Sequence, residues 1–324
     1  VIVAVDESEL PAIEQLYERG LANGVPGLSR IGPERLRELE PQVSGAGALH
    51  LPQVAIVDFV AVAKAMAEDV ERAGGTIRVS TRLTRLTHAP SGWQLETTQG
   101  SHAATFLINC GGLHADRIAR MAQDRSSVRL VPFRGEYYLL AADRGSLVHG
   151  LVYPVPDPSL PFLGIHFTKM LNGEIHMGPN AVLALKREGY AWTDCSLRDC
   201  FELATSPGVW RMAARYWQVG VQEVARSWSR RRFLRAAQRL VPAVRTQDLL
   251  PSPSGVRAQA VAADGSLLDD FVLRETPQAL HVYNAPSPAA TASLSIGEAI
   301  VTRLHPSLSA RIPPPSPSTE KRAT

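Results

Sequence analysis

Residues 76–122, TIRVSTRLTRLTHAPSGWQLETTQGSHAATFLINCGGLHADRIARMA, decide the fold class. Three extended runs, Thr76–Leu86, Trp93–Thr98 and Ala103–Asn109, are separated by the turn signals Pro90-Ser91-Gly92 and Gln99-Gly100. That spacing predicts a β-meander. The third run ends in Asn109-Cys110-Gly111-Gly112 and passes into a helical pattern over Ala115–Ala122. A strand, a glycine pair and a helix in succession bring backbone N–H groups up to a phosphate, because glycine lets the main chain approach closely. Taken alone, the same junction also reads as an ordinary tight turn.

Toward the N-terminus, Val1–Val5 reads as a strand and Glu9–Leu21 as a helix with Leu10, Ile13, Leu16, Tyr17 and Leu21 at helical spacing. A short helix, Pro33–Glu40, precedes a glycine-rich extended segment, and Asp58 caps a helix over Phe59–Ala73. Toward the C-terminus, Val128–Phe133, Tyr137–Ala141, Leu151–Val155, Phe162–Phe167 and Ile175–Gly178 read as an antiparallel sheet. Residues 197–241 read as two or three helices. Val256–Ala262 and Phe271–Glu275 read as a hairpin around Asp264-Gly265, followed by a strand at Leu280–Asn284 and a helix over Ala289–Leu304. The Pro- and Ser-rich residues 306–324 read as a disordered tail. The fold class is therefore mixed α/β.

Composition narrows the function. The 324 residues are 45% apolar and 20% charged, with a net charge of +3, which excludes wholesale disorder and carries no signature of nucleic-acid binding. Three cysteines, Cys110, Cys195 and Cys200, form no C-x-x-C, so neither a disulfide framework nor a zinc site is expected and a reducing cytoplasm fits. The histidines show no metal-ligand spacing, and no metal is expected. Residues 217–239 combine the stripe Trp217, Val221, Val224 and Trp228 with six arginines from Arg226 to Arg239. They read as an amphipathic helix with a solvated basic face, as a peripheral contact with the inner face of the cytoplasmic membrane, or as a nucleic-acid patch.

Other segments carry candidate chemistry. Arg257, within Gly255-Val256-Arg257, sits in a strand among small residues, where an unpaired charge is costly, so it should face a carboxylate or an internal acid. Alternation predicts Arg134, Glu136 and Tyr138 on one face of a strand and Tyr137 on the other. It groups Gly164, His166 and Thr168 in the same way, and His166 has the pKa range of a base or of a hydrogen-bonded structural residue. Asn284-Ala285-Pro286-Ser287-Pro288-Ala289-Ala290-Thr291 leaves room for a flat ligand or for close helix packing.

Together, GALHLPQVAIVDF (47–59), INCGGLHADRIARMA (108–122), PFRGEYYLL (132–140), VYPVPDPSLPFLGIHFTKM (152–170), MGPNAVLALKREGY (177–190), SGVRAQAVAADGSLLDDF (254–271) and HVYNAPSPAATASLSIGEAIV (281–301) resemble the L-2-hydroxyglutarate dehydrogenase/oxidase family of D-amino-acid-oxidase-like flavoproteins. The resemblance implies a glutathione-reductase-type FAD-binding domain (residues 1–127 and 253–305) interleaved with an antiparallel-sheet substrate domain (128–252). It implies FAD as cofactor, hydride transfer from L-2-hydroxyglutarate to the flavin, and a quinone or another electron acceptor.

By position it places Leu83 at the adenine end of FAD, and Cys110, Gly111 and Gly112 along the ribose and diphosphate. Gly255, Val256 and Arg257 then lie on the substrate side of the flavin, and Ser287, Pro288, Ala289, Ala290 and Thr291 at its pyrimidine edge. Arg257 would hold the C1 carboxylate. Arg134 or Lys169 would hold the second carboxylate, Tyr137 would line the substrate site, and His166 would take the hydroxyl proton. The G-x-G-x-x-G turn of such proteins is absent from these residues, so the chain reads as a family member without its N-terminal dinucleotide-binding segment. Another flavin oxidoreductase acting on an amino acid or glycerol 3-phosphate, or a non-catalytic binding remnant, stands as the alternative.

Overall fold

The computed structural model describes residues 1–156, 163–285 and 289–309. The chain divides into two compact units, Val1–Asn284 and Ala285–Thr324. In the first unit, an eight-stranded sheet has the spatial order Leu249–Pro251, Tyr138–Leu140, Ile175–Gly178, His166–Lys169, Leu151–Pro154, Ile2–Ala4, Gly47–His50 and Ser29–Ile31. Every neighbouring pair is antiparallel except Ile2–Ala4 with Leu151–Pro154. Successive side chains point to opposite faces. Val3, Val152, Phe167, Ile175 and Met177 therefore fill one buried core, closed by Phe233, Leu234 and Ala237 of the helix Arg230–Gln238. His166, Thr168 and His176 fall on the other face of the same strands.

A second sheet sets Arg129–Gly135 between Val182–Leu183 and Gly255–Val261. Its main ladder runs unbroken from Arg129 opposite Val261 to Gly135 opposite Gly255. Val209 and Met212 of the helix Pro207–Trp228 pack on Val131 and Val261. A third sheet pairs Leu107–Asn109 in parallel with Ala279–Asn284, which is antiparallel to Val272–Thr276. The meander Leu83–Ala89, Gly92–Thr97 and Gly100–Ala104 forms the fourth. In the second unit, the helix Ser293–Ser309 follows a turn at Ala289-Ala290.

The meander is present, but three details depart from the expectation. Its first strand begins at Leu83 rather than Thr76. The run Ala103–Asn109 breaks into two strands belonging to different sheets, because Leu107–Asn109 turns away to pair with Ala279–His281. Val272–Thr276 pairs with Ala279–Asn284, so the hairpin expected around Asp264-Gly265 reduces to a single bridge between Val261 and Leu267. The helix that ends at Ser309 also overruns the tail expected from Pro306. The eight-stranded sheet takes strands from both sides of residue 127, so that boundary does not divide its strands.

Gly92 opens the second meander strand at φ +143°, and a Cβ there would lie 2.1 Å from the Ala104 carbonyl oxygen. Gly92→Ala should therefore lower stability by about 2 kcal/mol or more, from left-handed strain together with the clash. Urea unfolding with an unchanged m-value checks this.

Candidate active site

The open face of the eight-stranded sheet carries a cluster of rings. His166 stacks on Tyr153, with centroids 4.6 Å apart and planes inclined by 26°. Across the ladder His166 faces Gly178, and Thr168 faces His176. Gly178 has φ +137°, and a Cβ there would lie 2.8 Å from the Glu136 carbonyl oxygen and 3.1 Å from Tyr137 Cδ1. Glycine is thus what lets Tyr137 lie beside the His166 strand. Tyr137 meets His176 edge to face at 6.5 Å. Burial raises the Tyr137 pKa, the Arg257 guanidinium opposes that rise, and Tyr153 adds to it. Tyr137 thus lies within electrostatic reach of both Arg257 and Tyr153.

Arg257 is half-buried on the Gly255–Val261 strand and donates from Nη2 to Gln259 Oε1 at 3.1 Å. Burial lowers its pKa, while Tyr137 and Asp269 raise it. Removing the guanidinium from water makes it a strong recognition point for a carboxylate. His166 Nδ1 lies 3.0 Å from the Gly164 carbonyl, which can only accept, so Nδ1 carries the proton and Nε2 presents a lone pair. Burial lowers the His166 pKa from its ordinary 6.5, partly opposed by that carbonyl. The imidazole is therefore neutral at pH near 7 and competent as a base.

Two expected substrate contacts lie elsewhere. Arg134 stands opposite Val256 and so points to the other face of the ladder from Phe133 and Arg257. It is 2% exposed, donates to Glu136 Oε1 and the Ala191 carbonyl, and stacks over Trp192 at 4.6 Å. It is therefore a structural residue. The alternation expected through Tyr138 also fails, because the strand ends at Gly135 and Tyr138 starts a strand of the other sheet, packed on Phe233. Lys169 faces Ile175 across its ladder and lies on the opposite face from His166.

Beside the ring cluster lies a cavity of about 560 Å³, lined in part by His50, His149, Tyr153, Pro154 and Leu163. Buried Glu40 shapes its wall by accepting from the His149 and Gly150 amides at 2.8 and 2.7 Å. Sequence reading missed Tyr153, His176 and Glu40. The only signal for Tyr153 and His176 was strand parity with residues already chosen, which needed the register, and Glu40 at the end of the helix Pro33–Leu39 carried none.

The residues expected at a dinucleotide can be tested for fit. Asn109, 3% exposed, bonds the Ala115 carbonyl at 2.8 Å, His281 Nδ1 at 3.1 Å and the Gly111 amide at 3.1 Å, fixing the turn from beneath. A Cβ at Gly111 would strike Ile118 Cδ1 at 2.6 Å, so the turn packs tightly on its inner side. Gly112 has φ +52° and nothing within 4 Å of where a Cβ would lie, so its outer side is open to a bulky group. Gly112–His114 packs against the strands Arg129–Gly135, Gly255–Val261 and Ala279–Asn284, which brings the turn to the sheet that carries Arg257. Gly255 is likewise open. These residues fit an extended dinucleotide. Leu83 is half-buried at the start of the meander. Ala289, Ala290 and Thr291 belong to the second unit, and Ser287 and Pro288 lie outside the described residues. Among the described residues no metal-binding cluster occurs.

The sequence profile of the family described as FAD dependent oxidoreductase matches residues 1–303. The chain is 44% identical over 298 residues to the L-2-hydroxyglutarate dehydrogenase of Indibacter alkaliphilus, covering 92% of this chain and 75% of that protein. It is 40% identical over 315 residues to the L-2-hydroxyglutarate dehydrogenase of an Escherichia coli strain, covering 97% and 74%. Among solved structures, the FAD-bound, dithionite-reduced L-α-glycerophosphate oxidase of Mycoplasma pneumoniae superposes with TM-score 0.71 at 20% identity, covering 94% of this chain and 72% of that one.

Two predictions follow from the site's geometry. The His166 pKa lies below its unfolded value, so the unfolded chain binds more protons as pH falls through about 6.5. Stability is then full at neutral pH and declines on acidification. Thermal midpoints between about pH 7.5 and pH 5 should fall, and less steeply in His166→Gln. Gly178→Ala should displace Tyr137 and quench or shift its fluorescence, at a cost of about 1–3 kcal/mol from the strained φ.

Proposed function

The chain belongs to the FAD dependent oxidoreductase family, and from that premise we propose that it oxidises L-2-hydroxyglutarate at C2 to 2-oxoglutarate. What supports the reading is the half-buried Arg257 guanidinium, with Tyr137 in its electrostatic field, together with an imidazole anchored through Nδ1 on the Gly164 carbonyl and stacked on Tyr153. FAD, when bound, accepts the two electrons released at C2.

In this reading Arg257 pairs with the C1 carboxylate and fixes the orientation of C2. His166 Nε2 accepts the hydroxyl proton while Nδ1 stays anchored on the Gly164 carbonyl, which holds the ring angle through the step. Tyr137 and His176, on the same side of the ring cluster, supply hydrogen-bond donors for the second carboxylate, the role that neither Arg134 nor Lys169 is placed to fill. Cys110, Gly111 and Gly112 hold the diphosphate and ribose through the main chain, with Leu83 at the adenine end. Gly255 and Val256 would approach the ring.

For the acceptor we propose a quinone reached at a membrane surface. Trp210, Trp217, Val221 and Trp228 form an exposed stripe on the helix Pro207–Trp228, with the exposed Arg211, Arg215, Arg231 and Arg232 nearby in sequence. An apolar groove of about 570 Å³ opens beside that helix and reaches Phe133, the cross-strand partner of Arg257. Exposed tryptophans flanked by arginines suit an interfacial position on anionic lipid. No helix among the described residues is long and apolar enough to cross a membrane.

Arg257→Ala should lower kcat/KM for L-2-hydroxyglutarate by about two orders of magnitude or more, with Arg257→Lys recovering only part, because a point charge replaces a bidentate fork. Steady-state kinetics with a dye acceptor check this, and wild-type turnover by Arg257→Ala would overturn the assignment. Vesicles containing phosphatidylserine should sediment the wild-type chain, and Trp217→Ala/Trp228→Ala should weaken that binding about tenfold.

A further inference from the structure

Cys195 and Cys200 bring their Sγ atoms to 3.5 Å of each other. Cys195 is exposed and Cys200 lies partly exposed beside it. The pair spans the turn that opens the helix Leu197–Ala204, where Ser196 caps through Asp199 N and the Cys200 amide donates to the Ser196 carbonyl. A bridge from Leu185 to Cys195 fixes one end of that turn, and Cys200 Sγ donates to the Leu185 carbonyl at 3.5 Å. Both sulfurs are thus held against one backbone point. Closing to the bond length of about 2.05 Å needs only small side-chain rotation.

We propose that Cys195 and Cys200 form a redox modification site that closes to an intramolecular disulfide on contact with a hydroperoxide. This is independent of the catalytic reading. The Cys195 sulfur, as thiolate, attacks one peroxide oxygen and the O–O bond breaks, giving a sulfenic acid and, with hydrogen peroxide, water. The Cys200 sulfur then attacks the Cys195 sulfur and releases the second water. In sum, two thiols lose two electrons and two protons, and one peroxide becomes two waters. Cys195 is the more exposed sulfur and meets the peroxide first, while burial raises the pKa of Cys200, with Cys195 adding to the rise, and leaves Cys200 the less reactive toward peroxide.

Asp199 lies between the two cysteines, next to Cys200, and its carboxylate accepts from Arg117 and from the Arg187 amide. Arg117 belongs to the helix Ala115–Met121 that follows the Cys110–Gly112 turn. Oxidation would therefore stiffen a helix start tied to that turn's own helix.

The test uses the full chain treated with stoichiometric hydrogen peroxide, quenched with iodoacetamide and digested with trypsin without reductant. Cleavage after Arg198 separates the two cysteines, so the disulfide appears as peptide 188–198 linked to peptide 199–211. The expected result is that linked pair, lost on reduction, with Cys110 still alkylated. Closure should be about tenfold faster in the folded chain than in denaturant, where proximity along the chain alone operates. In Cys200→Ser, Cys195 should instead stop at the sulfenic acid with one equivalent of peroxide and advance to the sulfinic acid when a second equivalent is added. Separate over-oxidised or alkylated peptides with no linked pair, pairing with Cys110, or equal closure rates in folded and denatured chain would each overturn the proposal.

Discussion

A guanidinium half withdrawn from water on a continuous seven-residue ladder is the constraint around which the site is organised. The ladder between Arg129–Gly135 and Gly255–Val261 fixes which residues share a face with Arg257, and a buried charge demands partners on that face. Gln259 meets it from its own strand. Tyr137, brought alongside by a glycine at position 178, meets it electrostatically and lies within electrostatic reach of Tyr153, the ring on which His166 stacks. Arg257 and His166 thus stand on two different sheets, with Tyr137 between them in the electrostatics.

A second network holds the frame on which this depends. Arg187, 4% exposed, pairs with Asp116 at 2.5 and 3.0 Å and donates to the Leu113 carbonyl just after the glycine turn. Arg117 joins Asp199 and Glu202, so segments near residues 113–117, 187 and 199–202 form one cluster of charges. Breaking one partner of such a cluster leaves an uncompensated charge, typically at several kcal/mol. The same cluster ties the helix beside Cys195 and Cys200 to the helix beside Cys110, which gives a surface thiol pair a mechanical path toward the turn.

Much of the architecture was legible locally. The helices at Leu10–Ala22, Pro33–Leu39 and Phe59–Arg72, the meander turns and the strand at Ile175–Gly178 follow from period, caps and glycine placement. The site was legible in part. Arg257, Tyr137 and His166 were singled out, and Tyr137 lies within electrostatic reach of Arg257 and of Tyr153, the ring on which His166 stacks, whereas Arg134 and Lys169 lie on other faces of their ladders. Tyr153, His176 and Glu40 were missed because nothing in their own neighbourhood distinguishes them.

The sequence by itself determined the class of elements, the glycine turn and the kinship of the chain, because propensity, capping and motif spacing act over a few residues. Only the tertiary structure decided which face each side chain occupies. Pairing partners far apart in the chain, such as Asn109 with His281 and Phe133 with Arg257, set the register. A shift of one residue in that register would exchange the two faces of a strand, and with them the charges that recognise a ligand and the charges that hold the fold.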